Sequence, residues 1–205
     1  MLCSQLSDSL PQADIGDLVS LAVPEVFPDP DRHLMYQHIQ HPVIPAVDVY
    51  DADIINMSWT LNQDSEELHE AICYAAKQNV LLVAAAGNLS LSTPLGSQVY
   101  PASWEEVIGV SGADLNEQGE PVSSLWYLQS DAVFVSADGN YQGEKGSSFA
   151  APRISGILAG YLDRTSEEKH TQSYAEEYLK SIAVDAGHPG YDTVFGWGYV
   201  KNTAG

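Results

Sequence analysis

The stretch that decides the fold is Gly146-Ser147-Ser148-Phe149-Ala150-Ala151-Pro152. A small-residue turn runs straight into an apolar stretch, Ile154 to Leu162, which reads as a helix. Pro152 is expected in the first helical turn, where its missing N–H costs nothing. Ser148 then stands at or next to a helix N-terminus, where free N–H groups and the helix dipole favour developing negative charge. That placement suits a nucleophilic hydroxyl. Taken alone, such a serine is more often an ordinary helix cap.

The segments before it read as supports. Asp53-Ile54-Ile55-Asn56-Met57-Ser58 is a short β-type run, and Val80 to Ala86 (VLLVAAA) is an apolar run expected of a strand covered on both faces. Between them, Asp64 to Asn79 predicts a helix, with Asp64 as cap, Glu67 closing a capping box and Asn79 as the stop. Its apolar face carries Leu68, Ala71, Ile72, Ala75 and Ala76, and Glu66, Glu67 and Glu70 form its wet side. Strand, helix, strand makes a right-handed crossover unit. Further strands are predicted at Asp14 to Val23, Val107 to Val110 and Ala132 to Val135, and helices at Asp31 to Gln40 and Tyr174 to Ile182. Prolines make residues 24–46 read as an irregular connection, and Asp138-Gly139-Asn140 reads as a hairpin turn. The class is α/β, with a mainly parallel sheet flanked by helices, in one domain spanning residues 1–205. At the carboxyl edge of such a sheet three loops should meet: Ser58 to Thr60, Gly87-Asn88 and the turn carrying Ser148.

Composition limits the partners. Twenty-eight Asp and Glu against 8 Lys and Arg give a net charge of −20. This argues against nucleic acid or an anionic membrane, because few groups can neutralise phosphates. It fits high solubility, a salt-rich habitat or carboxylate-rich cation sites. Cys3 and Cys73 show no metal-ligand spacing and read as free thiols. No run reaches membrane-spanning length, and Met1 to Ser4 lacks the start of a signal peptide; the compartment stays open.

Taken together, five segments resemble the C-terminal part of a subtilisin-like (subtilase, S8-type) serine peptidase domain. Gly146 to Pro152 resembles the family's G-T-S-[MF]-A-[AS]-P nucleophile motif, and Ala84-Ala85-Ala86-Gly87-Asn88 its A-A-G-N segment. Ile54 to Ser58 resembles the V-I-N-M-S strand, and Tyr100-Pro101-Ala102 with Val107 to Ala113 the Y-P-A…V-I-x-V-G-A strand. Phe195 to Val200 resembles the closing G-x-G-x-V signature. The resemblance implies Ser148 as nucleophile and Asn88 as oxyanion donor. Ser58, Trp59, Thr60, Ala85, Ala86 and Gly87 would line the groove for a peptide or protein substrate. Asn56 reads as a buried polar support. Calcium follows from the resemblance alone; no D-x-D-x-D-G loop is present, and no metal residue or other cofactor is assigned.

The family's base and acid do not emerge. Its order is Asp, His, Ser, with the His in an H-G-T context. None of His33, His38, His41, His69, His170 and His188 precedes Gly-Thr, and no D-[ST]-G segment precedes them. The expectation is an N-terminally incomplete subtilisin-like domain, inactive alone, whose Asp and His come from an upstream segment or a second chain. Such a chain would leave an apolar sheet edge open and self-associate. The alternative is a degenerate subtilase that binds peptides without cutting them. A nucleotide-binding reading is disfavoured, because no G-x-G-x-x-G opens a helix after the first strand.

Other departures from the family pattern bear on specificity. Ser147 replaces Thr, Arg153 stands where a His or aromatic is usual, and Leu125-Trp126-Tyr127 replaces S-N-x-G.

Overall fold

The computed structural model describes residues 42–201. The predicted strand Asp14–Val23 and helix Asp31–Gln40, together with Cys3, His33, His38 and His41, lie outside the described residues. The described chain builds a sheet whose parallel core runs β1 (Ile54–Met57), β2 (Leu81–Ala85), β3 (Ile108–Leu115) and β5 (Val135–Asp138). The short β4 (Pro121–Val122) returns antiparallel on the end of β3. Register is set by pairs such as Ile54 with Leu81, Val83 with Ile108 and Val110 with Val135. The sequence-derived fold class is thus the observed one.

Strand periodicity sorts β2 between two layers. Leu82 and Ala84 pack with Leu68, Ile72 and Ala75 of α1 (Glu66–Lys77). Leu81 and Val83 pack with Ile154 and Leu158 of α2 (Ser147–Arg164) and Leu179 of α3 (Gln172–Ile182). All five β2 residues are buried, so an uninterrupted apolar run is what this position demands. A two-stranded hairpin, β6 (Asn140–Tyr141) with β7 (Glu144–Lys145), leads directly into α2.

Several local expectations are corrected. Ser65, not Asp64, caps α1: its hydroxyl accepts from Leu68 N–H at 3.3 Å. Asp64 instead accepts from the Trp104 indole at 3.3 Å. Asn79 does lie at the stop, with φ of 62°, in the left-handed region asparagine tolerates. Residues 42–48 are helical rather than irregular, because Val43 and Ala46 have a core to enter.

The predicted strand at Ala132–Val135 overlaps β5 at one residue only. Pairing continues through Ser136 and Ala137, whose polar or small character hid them, because Ser136 N–H and Oγ both reach Gly198 O, at 3.0 and 3.4 Å. β3 likewise runs past Val110, through Ser111, Gly112 and Ala113. The hairpin turn is Gln142-Gly143, both at positive φ. Asp138-Gly139-Asn140 is instead a side-chain-closed turn in which Asp138 Oδ1 accepts from Asn140 N–H at 2.9 Å. Finally, Pro152 lies past the first turn of α2, so the N–H it lacks is one that would have bonded the Ser148 carbonyl.

The cap assignment is testable by chemical denaturation. Ser65→Ala should cost about 1 kcal/mol and Ser65→Gly only a few tenths, whereas Asp64→Ala should leave α1 capped.

Candidate active site

Two chain segments converge at the carboxyl end of β2. Ser147, the first residue of α2, is buried, and its hydroxyl accepts from Gly87 N–H at 3.2 Å. Its own N–H donates to Asn88 Oδ1 at 3.0 Å. This fixes the Asn88 amide with its oxygen engaged and its Nδ2 hydrogens left to point elsewhere. Asn88 is exposed and Ser148 half-buried. Ser148 Oγ and Asn88 Nδ2 approach the same space: a Cβ added to Gly146 would stand 2.9 Å from the first and 3.5 Å from the second. Gly146 has extended backbone, so its requirement is room rather than unusual φ.

A third segment braces this pair. Leu89 N–H donates to Trp126 O at 2.9 Å and Leu128 N–H to Gly87 O at 3.1 Å, so residues 126–128 run antiparallel beside Asn88. The Trp126 indole donates to Lys145 O at 2.9 Å, joining this segment to β7 just ahead of Gly146. Tyr127 lies across Gly112 and Gly139, where added Cβ atoms would sit 2.1 Å from its Cε1 and 2.5 Å from its hydroxyl oxygen. Its hydroxyl donates to Asp114 Oδ1 at 3.4 Å. Burial, followed by the charges of Asp114 and Asp138, pushes the phenol far above its ordinary range, so it stays protonated.

Asp114, near the end of β3, gathers further partners. Asn140 Nδ2 donates to it at 3.4 Å and Lys145 Nζ lies 2.6 Å from Oδ2. Burial works to raise its carboxyl pKa, but the hydrogen bond and charge of Lys145, with help from Ser124 and Asn140, outweigh that and hold it below the usual carboxylate range. Arg153 on α2 adds a clamp from the other side, donating to Asn140 O at 2.9 Å beside Asp138 Oδ2 at 3.6 Å.

The groove residues divide. Ser58 and Trp59 are half-buried and Thr60 exposed, and Trp59 packs against the α1-side core. Ser58 Oγ accepts from Asn56 Nδ2 at 2.9 Å, and Asn56 Oδ1 accepts from Ser155 of α2 at 3.1 Å. Asn56 thus supports the β1 end as expected, but from an exposed position rather than a buried one. Ala85 and Ala86 are buried and Gly87 is enclosed by Leu128 and Val99. The exposed side chain of this loop is Asn88. Sequence reading missed Ser147, Tyr127 and Asp114 as supports. Ser147 was legible from its place in the motif; Asp114 carried no local signal.

The described histidines have other partners. His69 bonds Glu106, His170 Nε2 lies 3.2 Å from Thr165 O, and His188 donates its backbone N–H to Asp192. Among the described residues no hydrogen bond joins an imidazole to Ser148.

Comparison with known proteins decides the family. A family model described as the Subtilase family matches residues 19–198. The chain belongs to the subtilase family. Its members are subtilisin-like serine endopeptidases. The minor extracellular protease Epr of Bacillus subtilis is 35% identical over 162 residues, 74% of this chain and 24% of Epr. The major intracellular serine protease of the same organism is 28% identical over 204 residues, 94% of this chain and 62% of that protein. This subtilase chain therefore spans about a quarter of the one relative's length and about three fifths of the other's. Among solved structures, fervidolysin from Fervidobacterium pennivorans, a keratinolytic enzyme related to subtilisin, superposes with a TM-score of 0.67 at 26% identity, over 82% of this chain and 28% of its own. A lanthipeptide protease shares the fold with a TM-score of 0.66 at 22% identity, over 82% of this chain and 64% of its own.

The Asp114 cluster gives the subtilase a definite pH response. A depressed folded-state pKa contributes stability above the unfolded carboxylate value, lost as pH falls through the folded one. Asp114→Asn should cost about 1–3 kcal/mol near neutral pH, and that difference should shrink in acid; melting curves of both proteins across pH would measure it.

Proposed function

We propose that this chain supplies the nucleophile and the oxyanion donors of a subtilisin-like serine endopeptidase. The observation that carries this is the approach of Ser148 Oγ and Asn88 Nδ2 to one point beside Gly146. A scissile carbonyl there would meet the hydroxyl at its carbon and the amide at its oxygen. As Ser148 Oγ bonds to that carbon, the carbonyl π pair moves onto oxygen and the hydroxyl proton passes to a base. The oxyanion then receives Asn88 Nδ2–H and the Ser148 N–H, which lies in the first turn of α2 and has no acceptor within the helix. Collapse of the intermediate expels the amine, protonated by the same base, and water hydrolyses the ester.

The base and its carboxylate partner are assigned to sequence outside residues 42–201, from an upstream segment or a second chain. The substrate is a peptide or protein in extended form, its backbone laid along Ser58 to Thr60 as an added strand. A second reading, a peptide-binding module without catalysis, draws on the lack of an imidazole bonded to Ser148 among the described residues.

A fluorophosphonate probe separates the two. Labelling that appears once the chain is joined by the sequence or second chain supplying the base, and disappears in Ser148→Ala, supports the peptidase. Asn88→Ala should then slow turnover by roughly a hundred- to a thousandfold, the size already known for the oxyanion asparagine of a member of this family. Absence of labelling in that completed form, together with measurable binding of extended peptides, would favour the binding module.

A further inference from the structure

Away from the candidate active site, three unlike donors meet where α1 faces the turn before β3. His69 and Cys73 are one helical turn apart on α1 and so share a face. Glu106 reaches both: its Oε2 lies 3.0 Å from His69 Nε2, and its Oε1 accepts from Cys73 Sγ at 3.2 Å. All three ligand atoms fall within 4.8 Å of one another, and each residue is partly buried. Among the described residues this is the one group of three or more His, Cys, Asp or Glu side chains so placed.

We propose that His69, Cys73 and Glu106 form a zinc site with a fourth position open to water. The donor set is the argument for zinc. An imidazole nitrogen, a thiolate and a carboxylate oxygen are its usual ligands, at about 2.0–2.3 Å. Ligand atoms on such bonds stand roughly 3–4 Å apart. His69 Nε2 and Cys73 Sγ already lie that close to the Glu106 carboxylate, each to a different oxygen, so a small carboxylate rotation would bring one oxygen to both. Calcium does not suit the group, because it takes six or more oxygens and one carboxylate is all that is offered.

The imidazole is also held in place. Its ring stacks on Trp104 with centroids 4.5 Å apart and planes 6° from parallel. Trp104 is itself buried and tied through its indole to Asp64. Nε2 is therefore aimed at Glu106 by packing, whether or not a metal is bound. Without metal, the carboxylate bridges the imidazole and the thiol. Zinc replaces that arrangement: the thiol proton leaves to solvent, and thiolate plus carboxylate balance the ion's two charges. The chain's net charge of −20 raises the local concentration of cations around such a site. The bound ion would clip α1 to the 104–107 turn, and so hold the entry to β3.

The test uses the full chain without an affinity tag, stripped by chelator and titrated with zinc alone. One equivalent should bind and raise the melting temperature. The cobalt form should show sulfur-to-cobalt charge-transfer absorption. Cys73→Ser and Glu106→Gln should each weaken zinc by more than the roughly ten- to hundredfold that loss of an outer-shell partner costs, and Cys73→Ser should lose the sulfur band. Cys3→Ser should keep both. Circular dichroism of each variant distinguishes lost ligation from lost folding, and His69→Gln supplies a further variant if one fails to fold. Failure of the wild-type chain to take up stoichiometric zinc, or a sulfur band that survives Cys73→Ser, would overturn the proposal and leave a hydrogen-bonded trio.

Discussion

Ser147 makes two hydrogen bonds, and the site geometry depends on them. Its hydroxyl receives Gly87 N–H and its N–H reaches Asn88 Oδ1, joining segments about sixty residues apart in the chain at a buried point. Each bond satisfies a backbone group at an element end. Gly87 lies just past the end of β2, and Ser147 N–H is the first amide of α2. Buried N–H groups at such ends need partners, so the same contacts that stabilise the fold also orient the Asn88 amide. The family's usual threonine would add a methyl here, but the hydroxyl does the joining, and serine keeps it.

For Ser148 and Asn88 to act in their proposed roles, groups on different loops require bracing on a sub-ångström scale. Here the brace is built from the far side. Tyr127 fills the space above Gly112 and Gly139, Asp114 accepts from Tyr127 and Asn140 and pairs with Lys145, and Trp126 bonds to Lys145 O. Residues 126–128, β3 and the β6–β7 hairpin thereby become one unit ahead of Ser148. The two glycines are needed because the aromatic ring occupies the space their Cβ atoms would take. Tyr127 also answers what the unfamiliar Leu125-Trp126-Tyr127 is for: its middle and last residues take the bracing contacts, leaving Leu125 exposed.

What was legible in the sequence was whatever periodicity or a local motif could encode. The buried run of β2, the apolar face of α1 and the turn before α2 all follow from side chains near one another in the chain. Errors fell where a distant partner overruled a local preference. Ser65 caps α1 because Asp64 is engaged by Trp104, forty residues on. β5 extends through Ser136 because Gly198 satisfies it. Cys73 reads as a free thiol and is one, but its hydrogen bond to Glu106, thirty-three residues away, carried no local signal. The motif Gly146 to Pro152 pointed to Ser148 as the proposed nucleophile, but not why glycine leads it; the space shared by Ser148 Oγ and Asn88 Nδ2 supplies that reason.

Charge connects these observations. With 28 acids and 8 Lys and Arg, most carboxylates in the chain must go without a side-chain cation. Two of the scarce cations nevertheless sit at the supports of Ser148: Lys145 on Asp114 and Arg153 beside Asp138. Exposed pairs contribute little to stability, so their number would mean nothing on an open surface. Arg153 and Asp138 are both partly buried, and partial burial lessens screening by salt; Lys145 is exposed, with only its partner Asp114 sheltered. Elsewhere, as along Glu66, Glu67 and Glu70 of α1, the carboxylates face solvent and their mutual repulsion weakens as salt is added. Raising ionic strength therefore relieves the repulsion of the acidic surface while weakening the Arg153 side of the hairpin's bracing least.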